Sequence, residues 1–168
     1  MSKAQSVRNF VTFEADFPDD GVFTESGDLI APAGKNIAES LVSVLREQGL
    51  EATDVVQHSF YGWQFTVIRN NCHFWFLLQC SDTDEWLLLS QPRLSFIEKL
   101  TFKNTVSAHR EVLTIVHECL NQDRRFGSIR WFTKSEYEKR KSPTTPGGGL
   151  SHSPLKTTGT TTKTDKTD

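Results

Sequence analysis

The sequence predicts a two-layer α+β domain, with two long helices on one face of a mainly antiparallel sheet built round a meander of three to four strands. Three observations carry that expectation. Along Tyr61, Trp63, Phe65 and Val67 every second residue is apolar, the period of a strand with one buried face. The next apolar run begins after Asn70-Asn71, a pair that suits the left-handed conformations of a two-residue hairpin turn. Two stretches of helical periodicity flank this region and offer apolar stripes to cover one sheet face. The turn implies a register: Val67 opposite Phe74, Phe65 opposite Phe76, Trp63 opposite Leu78. All of these side chains then share one face.

Taken in order, Val7 to Phe17 sets Val7, Val11, Phe13, Ala15 and Phe17 at odd positions. That is a half-buried strand, interrupted at Asn9 and ended by the turn Pro18 to Gly21. The segment VFTESGDLIAPAG is a looser connection. A helix follows from Pro32 or Gly34 to Gln48, with Ile37, Leu41, Val44 and Leu45 on one face beside Ala33 and Ala38. Gly49 stands where a left-handed cap ends a helix. Thr53 to Phe60 is a weaker strand, joined to Tyr61 through a bulge or bend at Gly62. The third strand of the meander lies around Trp86 to Leu89, and Pro92 stops it. Leu94, Phe96, Ile97 and Leu100 suit a short helix. The second long helix spans about Thr105 to Asn121, burying Val106, Leu113, Val116 and Leu120 with Ile115 nearby, and Asn104 or Thr105 caps it. Phe126 to Phe132 is a last strand, and Ser135 to Lys141 adds a charged helical turn. The succession is that of a split βαβ unit with an enlarged central meander.

Residues 1–141 therefore form one domain. From Ser142 the composition turns to Thr, Gly, Ser, Pro and Lys, with only Leu150 and Leu155 large and apolar. Residues 142–168 are expected to be a disordered tail, because such a segment buries too little surface to offset its ordering entropy. The chain of 168 residues carries a net charge of −2, and the segment from Lys141 holds four Lys and two Asp, which leaves the rest at −4. No global basic signal points to nucleic acid or an anionic membrane. No apolar run reaches the length of a membrane span, and MSKAQSVRNF lacks the apolar core of a secretory signal. Cys72 and Cys80 lie on the same face of one strand, roughly 26 Å apart, so they cannot bond to each other. Buried, reduced thiols and a cytoplasmic location are the reading.

The chemical motifs fail one after another. Gly34-Lys35 opens a helix, but a phosphate loop needs glycine at position 29 and Ser or Thr at 36, where Leu29 and Asn36 stand. A helix start rich in small residues accounts for Gly34. His117-Glu118 resembles a zinc-protease helix, yet Asn121 occupies the place of the second histidine. A calcium loop centred on Gly21 would put Pro18 and Gly27 at ligand positions. Glu14, Asp16, Asp19, Asp20, Glu25 and Asp28 are instead a solvated edge, or an acidic docking patch. Cys72 and His73 are adjacent on a strand and point to opposite faces. The aromatic run Tyr61-Gly62-Trp63-Gln64-Phe65 lacks the basic residue of an RNA-binding strand, and core packing explains it better. No cofactor and no metal site is expected.

What remains is the second face of the sheet. If Phe74 and Phe76 face the helices, then Ile68, His73, Trp75 and Leu77 face away, with Gln64, Thr66 and Gln79 among them. Either Leu87 and Leu89 or Trp86 and Leu88 join that face. A face meeting only solvent should be polar, and this one is partly apolar. Coverage by residues 93–100 or by the N-terminal strand would explain it, and so would a protein partner or a homodimer. The candidate binding surface is His73, Trp75, Leu77, Gln64 and Thr66. An alternative, a small-ligand or enzymatic site, would draw on His58, Asp82, Asp84 and Glu85.

The stretches PAGKNIAESLVSVLREQGLEA, FYGWQFTV and EWLLL resemble small bacterial α+β proteins, some acidic toxin-immunity proteins among them. The resemblance covers about residues 30–90, contains no catalytic motif and transfers no site residue. It implies a non-enzymatic module, immunity- or adaptor-like, that offers a sheet face or an acidic edge to a protein partner.

Overall fold

The computed structural model describes residues 7–59, 61–93 and 102–139, with the side chains of 102 and 103 left aside. In chain order the elements are β1 (Phe10–Ala15), β2 (Val22–Phe23), β3 (Leu29–Ala31), α1 (Lys35–Glu47), β4 (Glu51–Ala52) and β5 (Val56–His58). Then come β6 (Gly62–Arg69), β7 (Cys72–Asp82), β8 (Glu85–Arg93), α2 (Phe102–Gln122), β9 (Phe126–Phe132) and α3 (Lys134–Glu138). Strands run β4-β6-β7-β8-β1-β9 across one antiparallel sheet, with β5 also on β6, while β2 and β3 pair separately. This is the α+β fold that the sequence predicts.

The β6–β7 turn decides the register. Asn70 and Asn71 have φ of 51° and 59°, the left-handed pair that a two-residue turn matched to strand twist requires. Val67 then faces Phe74, Phe65 faces Phe76 and Trp63 faces Leu78. Phe65 and Phe76 stack with ring centroids 5.1 Å apart. Both long helices lie on that face. From α1 come Ile37, Leu41, Val42 and Leu45; from α2 come Ala108, Val112, Leu113, Val116 and Leu120. Val42 and Val112 hold the fully buried places that the sequence pattern gives to Val44 and Val106, a rotation of each stripe by part of a turn.

Gly49 ends α1 as expected, with φ of 80°. Its N–H donates to the Arg46 carbonyl at 2.9 Å, and Leu50 N–H donates to the Leu45 carbonyl at 3.1 Å. Leu45 and Leu50 are both in the core, which completes the Schellman arrangement of hydrogen bonds and hydrophobic contact.

Several expectations are corrected. The first strand is shorter, 10–15 rather than 7–17. The looser segment after it contains the β2–β3 hairpin. The strand expected over Thr53 to Phe60 is not continuous among the described residues, because β4 and β5 pair with β6 separately. Pro92 does not stop β8: it pairs opposite Phe74. Ser90 N–H points toward Asn9, 2.9 Å from its carbonyl, so the Pro92 nitrogen points the same way, past the end of β1 where no ladder bond is needed. The second long helix starts at Phe102, not Thr105. Of the thiols only Cys119 is buried; Cys72 is half-buried, and Cys80 is exposed near the β7–β8 tip. The helix proposed over Leu94 to Leu100 and the tail 142–168 fall outside the described residues.

A polar pair is built into the core. His109 of α2 is 4% exposed and stacks on Phe74 with centroids 4.8 Å apart. Its Nε2 lies 2.8 Å from Ser90 Oγ. Burial lowers its pKa from 6.5 to about 4.

Two predictions follow from these geometries. Gly49→Ala meets no atom within 4 Å, whereas a Cβ on Gly62 would stand 1.9 Å from the Leu78 carbonyl oxygen. Gly49→Ala is expected to cost about 1 kcal/mol, the backbone penalty alone, and Gly62→Ala to cost several times more; urea midpoints of the two variants check the ranking. His109 sets an acid limit. Between pH 6.5 and about 4 the unfolded chain binds a proton that the folded chain refuses, so stability falls as pH drops through that interval. The loss is on the order of 3 kcal/mol. In His109→Gln the urea midpoint should fall much less over that interval, and an unchanged pH slope would refute the assignment.

Candidate functional site

The register sets Gln64, Thr66, His73, Trp75 and Leu77 on the sheet face away from α1 and α2. Leu87 and Leu89, not Trp86 and Leu88, join them from β8, opposite Gln79 and Leu77. The face then divides in two.

One half is covered. Phe10, Leu87 and Phe132 are buried together. Tyr137 of α3 stacks on Phe10 at 5.6 Å and meets Phe132 edge-on at 6.0 Å. Its hydroxyl lies 3.0 Å from Ser81 Oγ. α3 holds that position through a capping box: Thr133 Oγ1 accepts from Glu136 N–H, and the Glu136 carboxylate accepts from Thr133 N–H. Arg8 clamps the same carboxylate at 2.9 Å. Leu77 stands opposite Leu89 and is 6% exposed, so it packs and offers little open surface.

The other half, toward β5, is more open. His73 is exposed, and Gln64, Thr66 and Trp75 are half-buried. Trp75 Nε1 donates to Gln64 Oε1 at 2.7 Å. The His58 ring lies 5.7 Å from the indole, and the Arg93 guanidinium stands 6.0 Å from its centre. The Gln64 amide anchors the indole N–H, and His58 and Arg93 neighbour the ring.

The alternative group is not assembled. His58 contacts Tyr61 and Trp75, and no ion pair among the described residues joins it to a carboxylate. Asp82, Asp84 and Glu85 are at the β7–β8 tip. Asp82 accepts from Thr83 N–H at 2.8 Å, and Glu85 is bound by Arg130. Asp84 faces a cleft that the sequence did not announce.

That cleft, about 880 Å³, lies between the chain following β1, the start of α1, the β7–β8 tip and the α2–β9 turn. Glu14, Asp16, Asp19 and Asp20 of the acidic edge line it, joined by Asp84, Trp86, Arg124 and Arg125. Asp20 is committed to structure: its carboxylate accepts from Gly34 N–H at 2.5 Å and from Asn36 N–H at 2.7 Å. The chain's own carboxylate thus fills the anion position at the start of α1. Gly34 is also explained otherwise than by a run of small residues. Its φ is 99°, and a Cβ would come within 2.4 Å of the Trp86 ring.

Burial pushes the Cys119 thiol up to about 11 and raises that of Cys80, which keeps both protonated and weakly nucleophilic. His117 Nδ1 accepts from Trp131 Nε1 at 3.0 Å, and burial lowers its pKa. Among the described residues no group of three or more His, Cys, Asp or Glu is placed to hold a metal ion, and no helix is long and apolar enough to cross a membrane. No protein-family model matches this chain, and comparison with curated proteins finds no significant relative.

That α3 covers the second face was not expected from the sequence, although Thr133-x-x-Glu136 is a capping-box signature. The β2–β3 hairpin was not expected either, although two short apolar runs around TESGD announce it. Arg93 and Trp86 carried no local signal. The Asp20 cap yields a prediction: Asp20→Ala should cost about 1–2 kcal/mol, and Asp20→Asn clearly less. Thermal melts of both variants check the order, and equal losses would remove the cap from the account.

Proposed function

We propose that this chain is a non-enzymatic protein-binding module, immunity- or adaptor-like, that presents the β5–β6–β7 part of its second sheet face to a protein partner. The observation that carries the reading is Trp75. Its indole N–H is anchored by Gln64, with His58 and Arg93 beside the ring, on a face that the long helices do not touch. A rigid aromatic ring lined by polar side chains loses little entropy on contact and supplies a large share of interface energy. The absence of a His–carboxylate pair among the described residues favours this over the ligand-site reading built on His58, Asp82, Asp84 and Glu85.

Trp75→Arg tests it. The ring is half-buried at a surface, so the variant is expected to fold, while Phe76→Arg, with a charge in the core beside Phe65, is expected to be insoluble. Circular dichroism and sedimentation report folding and self-association, and a pull-down compares the partner recovered by the wild type and by Trp75→Arg. Loss of that partner with an intact fold is the expected result. Unfolding of Trp75→Arg as severe as that of Phe76→Arg would make the face internal and overturn the proposal.

A further inference from the structure

The exposed large apolar side chains among the described residues are Val22, Phe23, Ile30, Val56 and Tyr61. They are not scattered. Val22 and Phe23 form β2 and Ile30 lies in β3. Gln57 Nε2 donates to the Ile30 carbonyl at 3.2 Å, which ties β3 to β5 and so to Val56. Tyr61 shares a depression of about 390 Å³ with Leu29 and Pro32. Apolar side chains that serve no contact are usually dispersed singly, and a cluster rimmed by polar residues marks an interaction surface.

This depression does not stand alone. Ala33 and Cys80 line it, and the same two residues line the cleft of about 880 Å³. The two form one track, apolar at the Leu29–Tyr61 end and acidic at the other. At the acidic end Glu14, Asp16 and Asp84 are exposed and make no ion pair among the described residues. The two guanidiniums there do not balance them. Arg125 is drawn off by the Asp123 carboxylate, by the Phe17 ring at 4.3 Å and by Ser40 Oγ, which leaves Arg124.

We propose that this track holds an extended segment of a protein partner, with an apolar side chain at the Leu29–Tyr61 end and Lys or Arg at the Glu14–Asp84 end. The proposal rests on the binding-module reading and adds to it a second surface and a partner chemistry. Charge selects the occupant. A second copy would bring the same carboxylates to its own track, and the chain outside the Lys-bearing tail is acidic. The chain's own tail offers Lys156, Lys163 and Lys166. It is the competing occupant, and the test separates it from a partner.

A random peptide library displayed on phage is panned against the full chain, and the selected peptides are measured by fluorescence anisotropy. The expected peptides combine aliphatic or aromatic residues with Lys or Arg. Their affinity should fall with added salt. It should fall about tenfold in Tyr61→Ser and again in Asp84→Lys, both at exposed positions whose folding circular dichroism confirms. Trp75→Arg should leave it unchanged. Selection of peptides without basic residues, or indifference of the affinity to Tyr61→Ser and Asp84→Lys, overturns the track. Loss of binding in Trp75→Arg alone overturns the track while sustaining the binding-module reading. If Lys156→Ser, Lys163→Ser and Lys166→Ser together raise affinity about tenfold, the tail is the occupant and the partner assignment fails.

Discussion

The register of the β6–β7 hairpin is the constraint on which the molecule depends. Side chains alternate along a strand, so a slip of β7 by one residue against β6 would send Phe74 and Phe76 to the second face and bring His73 and Trp75 into the core. Two independent features forbid the slip. The asparagine pair fixes the loop at two residues with both φ values positive, and the phenylalanine ladder has matching partners only in this register. Everything else is placed from it: β8 pairs on β7, β1 pairs on β8, and both helices lie on the face that the phenylalanines define.

The same register produces the two-sided chemistry of the sheet. The stripes of the two long helices cover most of one face, but among the described residues the second face has the short α3 and what its own strands provide. Tyr137 shields Phe10, Phe132 and Leu87, and its reach ends there. Trp75 lies beyond that cover and is stabilised from within the sheet, by a side-chain amide on β6, the His58 ring from β5 and a guanidinium from β8. An indole N–H so held needs no partner to be satisfied, so binding there adds apolar contact without breaking a hydrogen bond.

The fold was legible in the sequence where signals are local and periodic. Period-two apolar runs, a hairpin turn and a glycine cap at Gly49 specified the meander and the end of α1. Features made by residues distant in sequence were not legible. Asp20 caps a helix that begins at Lys35, Gly34 yields to the Trp86 ring, and β1 slips between β8 and β9. No window of the sequence contains both partners of these contacts. The candidate site follows the same division. The face that carries Trp75, Gln64, Thr66 and His73 follows from alternation alone, but the burial of Leu77 depends on β8 and on which part of the face is covered. The separation of His58 from Asp84 depends on where β5 joins the sheet.

The two edges of the sheet explain why Val56 and Tyr61 are exposed at one end. An edge strand exposes unpaired backbone groups and must be blunted. At the β9 edge the pairing with β1 shifts register between Thr12 and Glu14, and Ser128 takes a φ of 51°. Such an irregularity re-aims the strand and makes it a poor template. α3 then folds back beside it. The other edge is blunted by interruption: β4 and β5 are short and separated by Thr53 to Val55, so no long ladder is offered. Interruption protects the backbone but leaves side chains uncovered, because neither long helix nor α3 packs over that corner. Val56 and Tyr61 are exposed there, β3 is tied to β5 through Gln57, and Trp75 stands one strand further in. A partner meeting this corner therefore encounters apolar side chains on a backbone already discouraged from strand addition. Recognition there rests on side-chain contact and charge, not on an added strand.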